Sequence, residues 1–323
     1  RTRSESRDAE LLQVQEALED RKQGPGGGIL ITGEALSGKS YFLEYATRQI
    51  FGGSYLKVIP PQGGATSPRA LQKAFEQATG KRGVLSALLA ESPDSTVFLL
   101  EDIELWWQRG ADQGQAFGQL LEAVQTFGKR HVFLLSCNLN TLKVLRAQSP
   151  VDEAMIATVI LRPLSLQHLR AAVWARHKTG GVPLYIGGQS EELVRMKAWD
   201  QLFGRLHRQS DGNIGIALRL WLAHLRTNGQ GRNRLETKIH RPDFPVLDDA
   251  KWYFILLQLY LHRALTHRRF TRLFASEGAD WAAGRIKELQ RSQLLVPHER
   301  EVLELKPEVR YYLGQLFTEK GML

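Results

Sequence analysis

Eight residues, GEALSGKS at 33–40, set two glycines, a lysine and a hydroxyl at the spacing G-x-x-x-x-G-K-[ST]. Each part of that spacing has a chemical reason. The glycines let a loop wrap so that backbone N–H groups point at phosphates. Lys39 neutralises charge on the β- and γ-phosphates of a nucleotide, and the Ser40 hydroxyl suits Mg²⁺. The candidate nucleotide-contacting set is therefore Gly33, Glu34, Ala35, Leu36, Ser37, Gly38, Lys39, Ser40 and Tyr41. An apolar run, GILIT, leads into the loop, and a helix starting at Ser40 would aim its positive end at the same anion.

Three further stretches supply candidate catalytic side chains. TVFLLED ends in Glu101 and Asp102, an acidic pair at the end of an apolar run. The usual order is Asp then Glu, the first acid supporting the metal and the second polarising the attacking water. Here the order is reversed, so Glu101 (with Ser40) takes the Mg²⁺ position and the shorter Asp102 the water-activating one. Glu104 is a third carboxylate nearby, and a solvated strand end is the structural alternative. HVFLLSCN ends in Asn138, which can orient that water or simply make a turn. In DGNIGIALRLW, Gly212 and Asn213 can cap a helix that carries Arg219, either toward a γ-phosphate or on a plain surface face.

These residues need elements to hold them. The apolar stretches GILIT, YLKVI (55–59), TVFLL (96–100), HVFLLSCN (131–138) and ATVILRP (157–163) alternate with helical segments. Near-continuous apolar strands of this kind predict an α/β fold, a P-loop parallel sheet covered on both faces. Leu11, Leu12, Val14 and Leu18 predict a lead-in helix within 1–23, followed by the breaker GPGGG. The α/β domain then runs over 24–164 and a helical lid over 165–227, its helices at 166–178, 191–208 and 213–226. Residues 228–247 have linker composition, and 248–323 show three helical stretches and a short β-like pair, the pattern of a winged helix.

The 323 residues are enough for two or three domains, and 43% hydrophobic content is that of a core-forming chain. The single cysteine, Cys137, excludes an internal disulfide and fits a reducing compartment, the cytoplasm. Histidine spacing gives no metal site and no Ser-His-Asp arrangement. A formal charge of +9 favours anionic partners without choosing among them. No apolar run reaches the roughly 18–20 residues that cross a bilayer. The chain opens at Arg1 rather than Met, which raises the expectation of a preceding region.

With the motifs in this order, the chain resembles the AAA+ ATPases over 24–226, with the winged helix at 248–323. The arrangement is most similar to the origin-recognition and transposition-regulator branch. A narrower likeness is to the C-terminal ATPase region of a group of large bacterial membrane proteins, carried by EDIELWW, HVFLLSCN, RHKTGG, LFGRLHRQSDGNIGIALRLWL, LHRALT and EVRYYLGQLFTEKGML. The resemblance implies ATP with Mg²⁺ and assembly into homo-oligomeric rings or arcs, with one subunit's arginine completing its neighbour's site. Arg146 is the nearest candidate for that arginine, ahead of Arg130 and Arg109, because RAQSPVDEAMIATVILRP lacks an arginine just before the fifth strand.

The terminal segment holds a basic cluster, Arg263, His267, Arg268, Arg269 and Arg272, and a helix with Arg285, Lys287 and Arg291. That helix can enter a DNA groove, yet Glu288 lies on it and Glu299, Glu301 and Glu304 line the wing, which favours protein packing. Trp106 and Trp107 either meet a partner or pack beneath a helix. Three readings follow: an ATP-driven switch or motor on a protein partner, including a membrane-tethered one; a DNA-loading ATPase; and a module that binds ATP without turning it over.

Overall fold

The computed structural model describes residues 7–109, 115–180, 183–186, 189–227, 233–235, 239, 250–297 and 301–323. The chain forms two units. The first comprises Glu10–Ala35, Lys39–Leu161 and Val246–Leu323, and the second is built on Arg162–Pro245 with Leu36–Gly38.

In the first unit, helix α1 (Asp8–Gln23) leads into β1 (Gly28–Gly33), α2 (Lys39–Phe51), β2 (Leu56–Lys57), α3 (Pro68–Thr79), α4 (Leu85–Ala90) and β3 (Val97–Leu100). After these come α5 (Gln115–Phe127), β4 (Val132–Asn138), α6 (Leu139–Gln148) and β5 (Met155–Ile160). The five strands are all parallel in the order β2-β3-β4-β1-β5. One strand therefore separates the strand that feeds the glycine loop from the strand that feeds the acids. Strands β1, β3 and β4 are buried at every residue, which is why they read as unbroken apolar runs. Val14 and Leu18 of α1 join Ile29, Ile31, Phe42, Leu43 and Leu134 in one core. Two strands differ from expectation: the second is only Leu56–Lys57, and the fifth starts at Met155, two residues before the apolar run.

The second unit contains α7 (Leu166–Thr179), β6 (Leu184–Ile186), β7 (Gln189–Ser190), α8 (Met196–Ser210), α9 (Ile214–Ala223), β8 (Leu225–Thr227) and β9 (Asn233–Leu235). The purely helical expectation is corrected here, because the short strands form a sheet ordered β7-β6-β9-β8. One of its strands lies inside the stretch read as linker. Runs of two or three residues are too short for a period-2 pattern to register. Most of the 228–247 linker expectation lies outside the described residues.

The C-terminal part belongs to the first unit. It runs α10 (Ala250–Leu261), β10 (Ala264–Thr266), α11 (His267–Leu273), α12 (Ala279–Arg291), β11 (Val302–Glu304) and α13 (Pro307–Glu319). Strands β10 and β11 pair antiparallel, and a further bridge joins Leu295 to Leu305. Helix, strand, two helices, β-pair and helix is the winged-helix order. No helix among the described residues is long and apolar enough to cross a membrane.

Candidate nucleotide site

The glycine loop turns through two left-handed residues, Leu36 (φ 65°) and Gly38 (φ 92°). A side chain at Gly38 would meet only Ile214 Cγ2 at 3.7 Å, so the backbone conformation and not space demands glycine there. At the end of the loop, Lys39 Nζ donates to the carbonyls of Gly33 (3.1 Å) and Glu34 (2.9 Å). Burial pushes the Lys39 ammonium below its ordinary pKa. Asp102 and Glu104 oppose that shift, and Arg310 adds to it. Ser40 and Tyr41 sit on the open side of α2, where Tyr41 stacks on Tyr45 at 6.5 Å.

Strand register brings the other candidates alongside. Gly33 lies opposite Asn138, and Leu100 opposite Leu135, so the acids follow one strand over from Asn138. Asn138 caps α6: its Oδ1 accepts from the N–H groups of Asn140 (3.0 Å) and Thr141 (3.2 Å) and from the Tyr260 hydroxyl (3.0 Å). Its Nδ2 is buried without a protein partner. Both sequence readings of Asn138 thus apply to different atoms of one amide.

The acids divide. Glu101 turns to β2, where Lys57 Nζ holds Oε1 at 2.5 Å. Asp102 adopts a left-handed backbone (φ 49°, ψ 58°) and its N–H donates to Ser136 Oγ at 3.1 Å. Its Oδ2 accepts from Arg263 Nε at 3.3 Å. Burial would raise the Asp102 pKa, but Arg263, Lys39 and Arg310 together hold it below the usual carboxylate range. Glu104 has no exposed surface; its Oε1 accepts from the Asn138 N–H (3.3 Å) and from Arg310 (3.0 Å). Glu104 Oε2 has no protein partner. Cys137 lies against Glu104, and burial raises its thiol pKa well above the ordinary value.

Asp102 and Glu104, rather than Glu101, are therefore the carboxylates whose charge reaches Lys39. The donor set is all oxygen (a serine hydroxyl and carboxylates), which is what Mg²⁺ prefers, and the unpartnered Glu104 Oε2 is compatible with such a ligand field. Bound there, Mg²⁺ would neutralise charge on transferring phosphates.

Several of the candidate arginines have partners within the chain. Arg263 and Arg269 of the basic cluster turn into the protein. Arg269, 8% exposed, donates to Gln108 Oε1 (2.9 Å), the Trp107 carbonyl (3.1 Å) and the Gly63 carbonyl. Desolvation, with help from Arg272, lowers its pKa to about 10. Arg285 lies over Trp252 (5.2 Å) and Trp281 (5.5 Å) and pairs with Glu288. Lys287 and Arg291 are exposed on α12. Arg146 pairs with Asp152 at 2.8 Å within its own chain, and Arg130 with Asp94. The Arg109 N–H donates to His262. In the second unit, Asn213 caps α9 through the N–H groups of Gly215 and Ile216, and Arg219 lies on the exposed side of that helix. Trp106 and Trp107 are buried, the latter stacked on His262 at 4.9 Å.

Sequence reading missed Arg263, Arg310 and Tyr260 as site residues. EVRYYLGQLF carries no local sign that Arg310 faces a carboxylate 206 positions earlier.

The parallel order β2-β3-β4-β1-β5, the glycine loop after β1 and acids after β3 define an α/β P-loop fold of the AAA+ kind. Two solved structures from Aeropyrum pernix share it. One is the ORC1 protein in complex with DNA (16% identity, covering 98% of this chain and 94% of that one, TM-score 0.51). The other is the ORC2 protein in its ADPNP-ADP complexes (13% identity, 98% and 95%, TM-score 0.51). No protein-family model and no curated protein matches the chain.

Proposed function

We propose that this chain is an ATP-binding, ATP-hydrolysing AAA+ module that works as a nucleotide-driven switch on a protein partner. The observation that carries this reading is the convergence of Lys39, Asp102, Glu104 and the unpartnered Asn138 Nδ2 at the ends of β1, β3 and β4. In it, Gly33–Ser40 cradle the phosphates, Asp102 orients the attacking water, and Asn138 Nδ2 reaches the water or the γ-phosphate. Ser40 and Glu104 support Mg²⁺, and Glu101 stays with Lys57. Arg219 is the lid's candidate for sensing the γ-phosphate. Arg146 is the candidate trans arginine of a homo-oligomer and must leave Asp152 to act.

A protein partner is favoured over DNA because Arg263, Arg269 and Arg285 are all engaged within the chain. The ORC1 neighbour's DNA complex keeps the second reading, duplex binding through the exposed Lys287 and Arg291. Tethering to a membrane region outside this chain rests on the sequence resemblance. The test is ATP binding and turnover. Lys39→Ala should abolish binding. Asp102→Asn should cut kcat by about a hundredfold or more, while Glu101→Gln leaves it within a few-fold. Equal losses in the two acid variants would sink the assignment of roles.

A further inference from the structure

Arg263 follows His262 in the two-residue step between α10 and β10, in a left-handed conformation (φ 65°). Its guanidinium has a carboxylate on either side. Nε reaches Asp102 Oδ2 at 3.3 Å, and one terminal nitrogen reaches Glu304 Oε1 at 2.6 Å. Glu304 is on β11, directly opposite Ala264 of β10. A second arginine of the same domain, Arg310, holds Glu104 in a pair that is 4% and 0% exposed. The two contacts differ in kind: Arg310–Glu104 is sealed, whereas Arg263 and its partners are each about a fifth to a quarter exposed (23%, 25% and 19%). A pair that solvent partly reaches rearranges more readily than a sealed one. Arg263, already bonded to Glu304, can thus give up Asp102 without the domain leaving its anchor.

We infer that Arg263 is a positioning residue that restrains Asp102, so that the C-terminal domain throttles ATP hydrolysis from within the same chain. This rests on the ATPase reading above. A guanidinium on Oδ2 competes with a water O–H for the lone pairs that would orient the nucleophile. The Asp102 backbone is pinned by its left-handed turn and by Ser136, so any change at the carboxylate comes from side-chain contacts and not from the main chain. Turnover then requires Arg263 to release Asp102 and rest on Glu304 alone. A partner that shifts β10 and β11 would control that step.

Charge neutralisation on either side of Arg263 should act with opposite sign. Arg263→Gln frees Asp102 and should raise kcat about three- to tenfold with KM for ATP within twofold. Glu304→Gln leaves Arg263 to Asp102 alone and should lower kcat. Arg263→Lys, which keeps the cation, should return turnover toward that of the unmodified chain. Changes of the same sign in Arg263→Gln and Glu304→Gln, or a lower kcat in Arg263→Gln, would overturn the inference; if Arg263→Gln does not fold, Glu304→Gln decides. Binding of a fluorescent ATP analogue is followed in parallel. An Arg263→Gln chain that binds normally but turns over at the unmodified rate defeats only the restraint, whereas an unmodified chain that binds no analogue defeats the ATPase reading and the restraint with it.

Discussion

Replacing Arg310 with methionine isolates the sealed ion pair behind the site. At 3.0 Å, the Arg310–Glu104 attraction is about 5 kcal/mol at the effective dielectric that suits protein sites. Desolvating the two charges costs several kcal/mol per ion, so the intact pair adds little net stability. Removing one partner is different, because Glu104 then stays at zero exposure with its Asn138 N–H contact and no directly bonded cation, Lys39 acting on it only from beyond ion-pair contact. The expected cost of Arg310→Met is about 3–5 kcal/mol. Methionine keeps a flexible apolar stem beside Tyr260, over which the guanidinium now lies at 5.5 Å, so lost packing contributes little. Glu104→Gln in the Arg310→Met background removes the stranded charge and should recover about 2 kcal/mol or more. Urea unfolding followed by tryptophan fluorescence, to which the buried Trp106 and Trp107 contribute, measures the change. A cost below about 1 kcal/mol for Arg310→Met, or strict additivity of the two changes, would refute the argument that the pair is fixed and desolvated.

Two other perturbations test the docking of the C-terminal domain. His262 is fully buried, stacked on Trp107, with Nδ1–H donating to the Gln258 carbonyl and Nε2 accepting from Arg109 N–H. Burial, reinforced by Arg269 and Arg109, lowers its pKa from 6.5 to about 3. The unfolded chain binds this proton more readily than the folded one. Stability is therefore full above about pH 6.5 and falls as pH drops toward about 3, by about 2 kcal/mol at pH 5. His262→Asn should flatten that part of the pH dependence of unfolding, and an unchanged slope would count against the buried neutral imidazole. At Gly314, an added Cβ would lie 2.8 Å from the Tyr260 hydroxyl. Gly314→Ala should lower stability by about 1–3 kcal/mol, and Tyr260→Phe in the same chain should restore part of it; no rescue would show that the clash lies elsewhere.

The glycine loop between β1 and α2, the buried strands and the Asn213 cap were legible because each is a local pattern. A phosphate loop is specified within eight residues, and a strand buried on both faces is an unbroken apolar run. Asn138 was legible as a polar residue ending such a run. What stayed hidden is set by long-range pairing. Arg263 meets Asp102 across 161 positions and Arg310 meets Glu104 across 206. No periodicity records such a pairing. A basic cluster such as LHRALTHRRFTR looks the same whether its arginines face solvent or carboxylates, so Arg263 and Arg269 read as a surface until the fold turned them inward. Glu101 is a related case: it pairs with a lysine on the adjacent strand, and only the cross-strand register shows it.

The sealed contact between Glu104 and Arg310 also orders events in time. A ribosome releases Glu104 long before Arg310 has been made, and domains that emerge early begin to fold first. Until α13 exists, closing the sheet around Glu104 would bury that carboxylate without its ion-pair partner. The nascent α/β part is thus held open, or keeps that acid in water, until the helix with its compensating cation arrives. Competence to bind nucleotide in its final geometry would appear late in synthesis, and a chain interrupted before residue 310 should present a loosened, chaperone-accessible site rather than a smaller working one.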